Sequence, residues 1–244
     1  MTSASRRNEL AENLAAVRER VTRACNAVGR DPGQVHLIVV TKHFPASDVL
    51  TLHELGVRDI GENRDQEAAG KVADVRTALR EGKSSSEVDP LTVHFIGQLQ
   101  SNKAGRVAGY ADAVHSLDRT KVIDALARGA ESAERVLDGL VQVSLDGDTS
   151  RGGARREDVS ELADRIAAHD RLRLRGVMAV APLGADPAVC FADLRDIADR
   201  IRATHPEASW ISAGMSADLE PAVAAGATHL RVGTAILGSR APLL

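Results

Sequence analysis

Apolar side chains recur along this chain in two rhythms, short solid runs and a three-and-four spacing. The second rhythm comes first: Leu10, Leu14, Val17, Val21 and Cys25 fall on one helical face, which predicts an amphipathic helix over 4–29 with Gly29 as its stop. The pair Asp31-Pro32 then turns the chain. Runs rich in β-branched residues follow at 35–40, 57–61, 92–97, 111–117, 139–145, 174–180, 208–214 and 228–233. Helical spacing fills the gaps at 46–55, 64–80, 119–132, 157–169, 188–204 and 216–225. Near-continuous apolar strands alternating with helices predict a parallel sheet covered by helices. Eight such units in 244 residues predict an α/β fold of one domain, 1–244: a (β/α)8 TIM barrel with an extra N-terminal helix packed on it. An open doubly wound sheet is the competitor, but its Gly-rich first turn is missing. The polar stretch 81–90 has no periodicity and reads as a solvated surface loop, with a lid as the rival role.

Composition narrows the function classes. Apolar residues make up 43% of the chain and aromatics only 2%, so the core must be built from Ala, Val, Leu and Ile. So few rings leave little for a base-stacking nucleic-acid surface. A net charge of −3 with mixed signs argues against a polyanion partner. Cys25 and Cys190 have no metal-ligand spacing and read as reduced thiols. The loop 146–153 lacks a glutamate in calcium-binding register and flanking helices, so no metal is expected there. The N-terminus has no apolar signal core, and no run reaches the roughly 18 apolar residues of a membrane span. A cytoplasmic protein without membrane contact is expected.

Barrel sites gather at the carboxyl ends of the strands. The first run ends in Lys42, one of five lysines in an arginine-rich chain. A primary amine there can lose its proton and attack a carbonyl, which a guanidinium cannot. The plainer alternative is a lysine reaching into solvent. Asn63 and His94, at the ends of the second and third runs, are candidates to face a ligand, although a lone histidine is more often a packing residue; His115 is discounted on that ground. The turns after the last two runs hold Ser212, Gly214, Met215 and Ser216, then Arg231, Gly233 and Thr234. Small residues, hydroxyls and free backbone N–H groups at this place favour a phosphate. Ser216 as a helix cap, and Arg231 as the partner of a structural carboxylate, are the competing readings.

In these residues the sequence resembles the pyridoxal phosphate homeostasis family (the YggS/PROSC-like group). The resemblance runs through the whole chain. It is carried by Val39-Val40-Thr41-Lys42, Gly61-Glu62-Asn63, the stretch His94 to Lys103, His115-Ser116-Leu117-Asp118, Leu174 to Val180, Ser212 to Ser216 and Arg231 to Thr234. It implies a barrel like the N-terminal domain of alanine racemase, a fold-type III pyridoxal 5′-phosphate enzyme. It also implies a Schiff base to the cofactor on Lys42, and phosphate binding by Ser212, Gly233 and Thr234 with backbone help near Gly214 and Met215. Arg231 would lie toward the pyridine nitrogen or the phosphate, and Asn63 near the ring; His94 and Ser216 would complete the lining. The sequence departs from the family at His43-Phe44-Pro45, where a second lysine is usual, and at Arg64, where an aromatic is usual.

An arginine at the pyridine nitrogen disfavours protonation there and weakens the ring as an electron sink. The chain ends at Leu244 directly after the eighth run, with no β-domain to supply a second acid–base group, and Tyr110 falls in a helical region. A monomeric cofactor carrier or buffer in vitamin B6 homeostasis, with apo-enzymes as recipients and without robust catalysis, is therefore expected. A weak amino-acid racemase and a sugar-phosphate barrel without a Schiff base are the alternatives.

Overall fold

The computed structural model describes residues 3–81 and 90–239. The interior of the stretch read as a loop, 82–89, lies outside the described residues. The order is α1 (Ser3–Ala27), β1 (His36–Val40), α2 (Ala46–Glu54), β2 (Asp59–Glu62), α3 (Asp65–Arg80), β3 (Thr92–Phe95), α4 (Ala104–Ala108), β4 (Ala113–Leu117) and α5 (Thr120–Ser132). It continues through β5 (Leu137–Gln142), α6 (Val159–Ala167), β6 (Leu172–Met178), α7 (Pro187–Thr204), β7 (Trp210–Ser212), α8 (Leu219–Ala224), β8 (His229–Val232) and α9 (Thr234–Leu237). Each strand pairs in parallel with the next, and β8 returns to β1, closing an eight-stranded barrel. No helix among the described residues is long and apolar enough to cross a membrane.

Closure makes two interiors. The larger is the apolar layer between strands and helices, where Val39, Ile60, Val114, Val141 and Ile211 meet the buried faces of the helices. The smaller is the barrel lumen. Register fixes which residues share it, because partners on neighbouring strands face the same side. His36 pairs with His229 and Ile38 with Arg231, Gly61 with His94, His94 with Ala113, and Met178 with Ser212. This lumen is unusually polar, since barrels of this type are normally filled by branched apolar side chains.

The N-terminal helix buries the stripe Leu10, Leu14, Val17, Val21 and Cys25. It also ties the chain's two ends together. Arg6 pairs with Asp48 of α2 at 2.7 Å. Asn13 Nδ2 donates to the Ile236 carbonyl at 3.0 Å, and Arg20 Nη1 to the Ser216 carbonyl at 3.1 Å. The helix thereby spans the seam between the first and last strands and braces the turns that follow β7 and β8.

Most strand bounds differ from the expected runs by one to three residues, and two of the differences have a clear backbone cause. β5 leaves the barrel at Gln142, where residues 143–145 were expected to continue it. Val143 instead bridges to Ala154, and the Ala154 N–H donates to the Gln142 carbonyl at 2.7 Å. The returning loop thus takes the Gln142 carbonyl and the Ser144 N–H, while the Val143 N–H still donates to the Met178 carbonyl of β6. β6 starts two residues earlier than expected and carries a register shift opposite Gly139 and Leu140. At the shift Gly176 has φ +148°, and a Cβ there would lie 1.9 Å from the Trp210 carbonyl oxygen. Only glycine lets β7 approach so closely. Gly176→Ala is expected to destabilise the protein by about 3 kcal/mol in urea unfolding. A loss under about 1 kcal/mol would show that β6 and β7 can separate without penalty.

Candidate functional site

At the carboxyl ends of the strands lies a cavity of about 370 Å³, lined by Lys42, Met215, Ser216, Arg231, Gly233 and Thr234 among others. Six of the residues singled out from sequence therefore converge, from strands β1, β7 and β8 and the turns after them. Lys42 is exposed, and among the described residues no hydrogen bond or ion pair holds its amine. The turn around it is clamped. The buried Thr41 hydroxyl donates to Glu62 Oε1 at 2.6 Å. Lys71 Nζ donates to the Thr41 carbonyl at 2.8 Å and the Phe44 carbonyl at 3.1 Å, and lies 2.6 Å from Glu62 Oε1. His43 completes the turn with φ +67°, an uncommon conformation for a residue with a side chain. Its ring nitrogen lies 3.4 Å from Glu67. From sequence, Glu62 entered only as a motif residue without a role, and Lys71 was not picked out. The available signal was a carboxylate directly after an apolar strand, which burial obliges to find a partner.

The turns after β7 and β8 form the opposite wall. Gly214 has φ +89°, and a Cβ on it would sit 2.5 Å from the Ala222 methyl. Asp218 Oδ1 accepts the Met215 N–H at 2.6 Å, so the helix expected from 216 begins instead at Leu219. Ser216 faces the other turn: its Oγ accepts the Ala235 N–H at 3.3 Å and joins the two segments. Gly214 thus shapes the turn from beneath, and the hydroxyls of Ser216 and Thr234 belong to cavity-lining residues.

Arg231 forms the floor at 4% exposure. Its Nη1 donates to Ser212 Oγ at 2.6 Å and its Nη2 to the Ala179 carbonyl at 2.8 Å. No carboxylate among the described residues lies within ion-pair distance of it. Burial lowers its pKa to about 10, opposed by the charge of Asp218, and it stays cationic at neutral pH. Ser212 is fully buried and does not line the cavity, and its hydroxyl sits between Arg231 and His115 Nδ1, 2.9 Å away. His94 lies deeper still, 2.9 Å from His115 and 3.0 Å from Asp59. Burial, reinforced by the nearby His94, pushes the pKa of His115 well below its ordinary value. Asn63 faces a neighbouring cavity of about 370 Å³ beside Gln98, Gln100 and Lys103, where its Oδ1 is buried without a partner. The Tyr110 hydroxyl, raised in pKa chiefly by burial, lines neither cavity.

Residues 12–241, which include the barrel and all the cavity-lining side chains, match the alanine racemase N-terminal domain family. At 14% identity an alanine racemase from Corynebacterium glutamicum shares the fold alone, with a TM-score of 0.68 over 97% of this chain and 62% of that one. A pyridoxal phosphate homeostasis protein of Mycobacterium tuberculosis is 42% identical over 96% of this chain and 94% of its own length. PipY of Synechococcus elongatus, solved with PLP bound, is 32% identical with a TM-score of 0.78, covering 94% of this chain and 100% of that one. The chain belongs to the pyridoxal phosphate homeostasis proteins of this family.

The two lysines of the site differ in what they hold, and substitution should separate them. Lys71→Met leaves the buried Glu62 carboxylate without its cation and is expected to destabilise the fold by about 3 kcal/mol in urea unfolding. Lys42→Ala, at an exposed position without a partner among the described residues, should stay within about 0.5 kcal/mol of the native protein. Equal losses would contradict the clamp.

Acid provides a second check. Burial lowers the His229 pKa from 6.5 to about 2. Between those values the unfolded chain binds a proton that the folded chain refuses, so this group's stability is complete above about pH 6.5 and is lost as pH falls. The stability of the native protein relative to His229→Asn should fall by about 1.4 kcal/mol per pH unit between pH 6 and 4.5. A pH-independent difference would mean that the folded barrel accepts the proton.

Proposed function

We propose that this chain binds pyridoxal 5′-phosphate in the Lys42 cavity and serves as a monomeric cytoplasmic carrier or buffer of it, with apo-enzymes as recipients. The observation that carries this reading is one cavity holding both a primary amine and a buried guanidinium, the amine without a partner and the guanidinium without a carboxylate among the described residues. The amine is suited to an aldehyde. The guanidinium is suited to an anion or a lone pair. A single ligand with both features satisfies both groups, and about 370 Å³ is room for a small aromatic phosphate.

In this reading Lys42 takes the aldehyde as a Schiff base. Ser216, Gly233 and Thr234 meet the phosphate. Ser212, first expected among the phosphate ligands, supports Arg231 from below instead. Arg231 keeps its proton and so opposes a second positive charge on a nitrogen placed beside it. When bound, the cofactor supplies an electrophilic carbon and a conjugated electron sink. The exposure of Lys42 suits reversible loading, and the remoteness of Tyr110 disfavours racemisation, which needs a second acid–base group across the substrate. The lining comes from one chain, so a monomer suffices.

Reconstitution with pyridoxal 5′-phosphate is expected to give a visible absorbance band, and borohydride reduction a mass adduct on the peptide containing Lys42. Lys42→Ala should lose both. Arg231→Gln should weaken retention in dialysis about tenfold or more, beyond the effect of Asn63→Ala. Faster delivery to an apo-enzyme than from free solution at equal concentration would support the carrier role. A native protein with no band and no adduct would overturn the reading in favour of a sugar phosphate.

A further inference from the structure

Below the cavity a single file of hydrogen-bonding groups crosses the lumen: Arg231, Ser212, His115, His94 and Asp59. β4 and β7 are not neighbours in the barrel, so His115 and Ser212 meet only through its interior. The file starts at the cavity floor and ends at Asp59, the first residue of β2, whose side chain is 25% exposed at the opposite end of the barrel.

The two ends decide where every proton lies. A guanidinium only donates, and a carboxylate only accepts. Asp59 therefore requires the proton of His94 on Nε2, which leaves Nδ1 as acceptor in the neutral ring. His115 must donate to it from Nε2, and its own Nδ1 is then an acceptor. Ser212 Oγ accepts from Arg231, and its hydroxyl proton has His115 Nδ1 as its acceptor among the described residues. Read from either end, the four links run the same way. The reverse order would need a cationic His94 and would leave the buried Ser212 proton without an acceptor, a penalty that buried hydroxyls avoid.

We propose that Asp59, His94 and His115 are positioning residues for Arg231: through Ser212 they fix the guanidinium in one orientation, with its remaining N–H groups turned to the cavity ligand. The consequence for pyridoxal 5′-phosphate rests on the function proposed above; the fixed protons and the fixed guanidinium do not. A carboxylate at the far end of the barrel thus governs how firmly the cavity floor is set.

The test uses the full chain without cofactor, labelled with ¹⁵N. Native His94 and His115 should both show the Nε2–H tautomer, and the Arg231 Nη–H signals should be separately resolved because rotation of the group is restricted. Asp59→Asn, whose amide can donate as well as accept, should mix the histidine tautomers and merge the arginine signals. Asp59→Glu, which restores an acceptor-only end, should recover both in part. Ser212→Ala should merge the arginine signals even where Asp59→Asn fails to fold. Dialysis of loaded protein should show pyridoxal 5′-phosphate retained about tenfold less well by Asp59→Asn. Nδ1–H tautomers in the native protein, or arginine signals unchanged in both Asp59→Asn and Ser212→Ala, would overturn the proposal. Failure of the native protein to hold pyridoxal 5′-phosphate would overturn the functional reading alone, since the histidine and arginine signals are read without it.

Discussion

A guanidinium buried with no counter-ion among the described residues is the constraint around which the lower half of this site is arranged. Arg231 is compensated by a hydroxyl and a backbone carbonyl, both neutral. Neutral acceptors offset part of the desolvation of a cation and leave its charge uncancelled. The interior therefore has to be rich in oriented dipoles. The lumen meets that need with serine and histidines where a barrel of this kind ordinarily holds branched aliphatics. Burial, with the nearby His94 adding to it and the charge of Arg231 contributing less, pushes the pKa of His115 well below its ordinary value, so this ring adds no second cation to the dry interior.

The upper half of the site follows a different rule, in which the backbone is clamped and the reactive side chain is left loose. Buried Glu62 holds the Thr41 hydroxyl and largely buried Lys71 holds the Thr41 and Phe44 carbonyls, while Lys42 projects between them with no partner of its own among the described residues. The opposing turns are likewise held from outside the cavity: Asp218 and Arg20 hold the one after β7, and Asn13 of the N-terminal helix holds the segment after β8. Rigid surroundings around an unengaged amine lower the entropy lost when a ligand is captured, and no protein contact must break first. That combination suits reversible loading of a cofactor.

The N-terminal helix belongs to this arrangement as much as to the core. Its apolar stripe packs on the barrel, while its polar contacts reach the Ser216 and Ile236 carbonyls. The strands it spans, β1 and β8, are the ones that carry Lys42 and Arg231. Closing the barrel and assembling the site are in this sense the same event: the amine and the guanidinium are almost the full length of the chain apart until β8 pairs with β1.

The alternation of apolar runs and helical spacing was enough to determine the barrel and the strand ends near which Lys42, Ser216, Arg231 and Thr234 reside. These are local properties: period, turn chemistry and the order of units constrain the topology of a parallel sheet almost completely. The sequence also carried the family's motif residues, but it did not separate those that face a ligand from those that hold them. Ser212 and Ser216 are both serines in one small-residue turn, yet one is sealed in the lumen and the other lines the cavity. Glu62 and Asn63 are adjacent, yet one clamps a loop and the other faces a neighbouring cavity. His94 and His115 were weighed singly as weak candidates, and their meaning lies in a file that runs across non-adjacent strands. Such distinctions depend on which face of a closed sheet a side chain meets and on register shifts of a single residue, as at Gly176. Only the tertiary structure decided them, because partners brought together through the lumen leave no periodic trace along the chain.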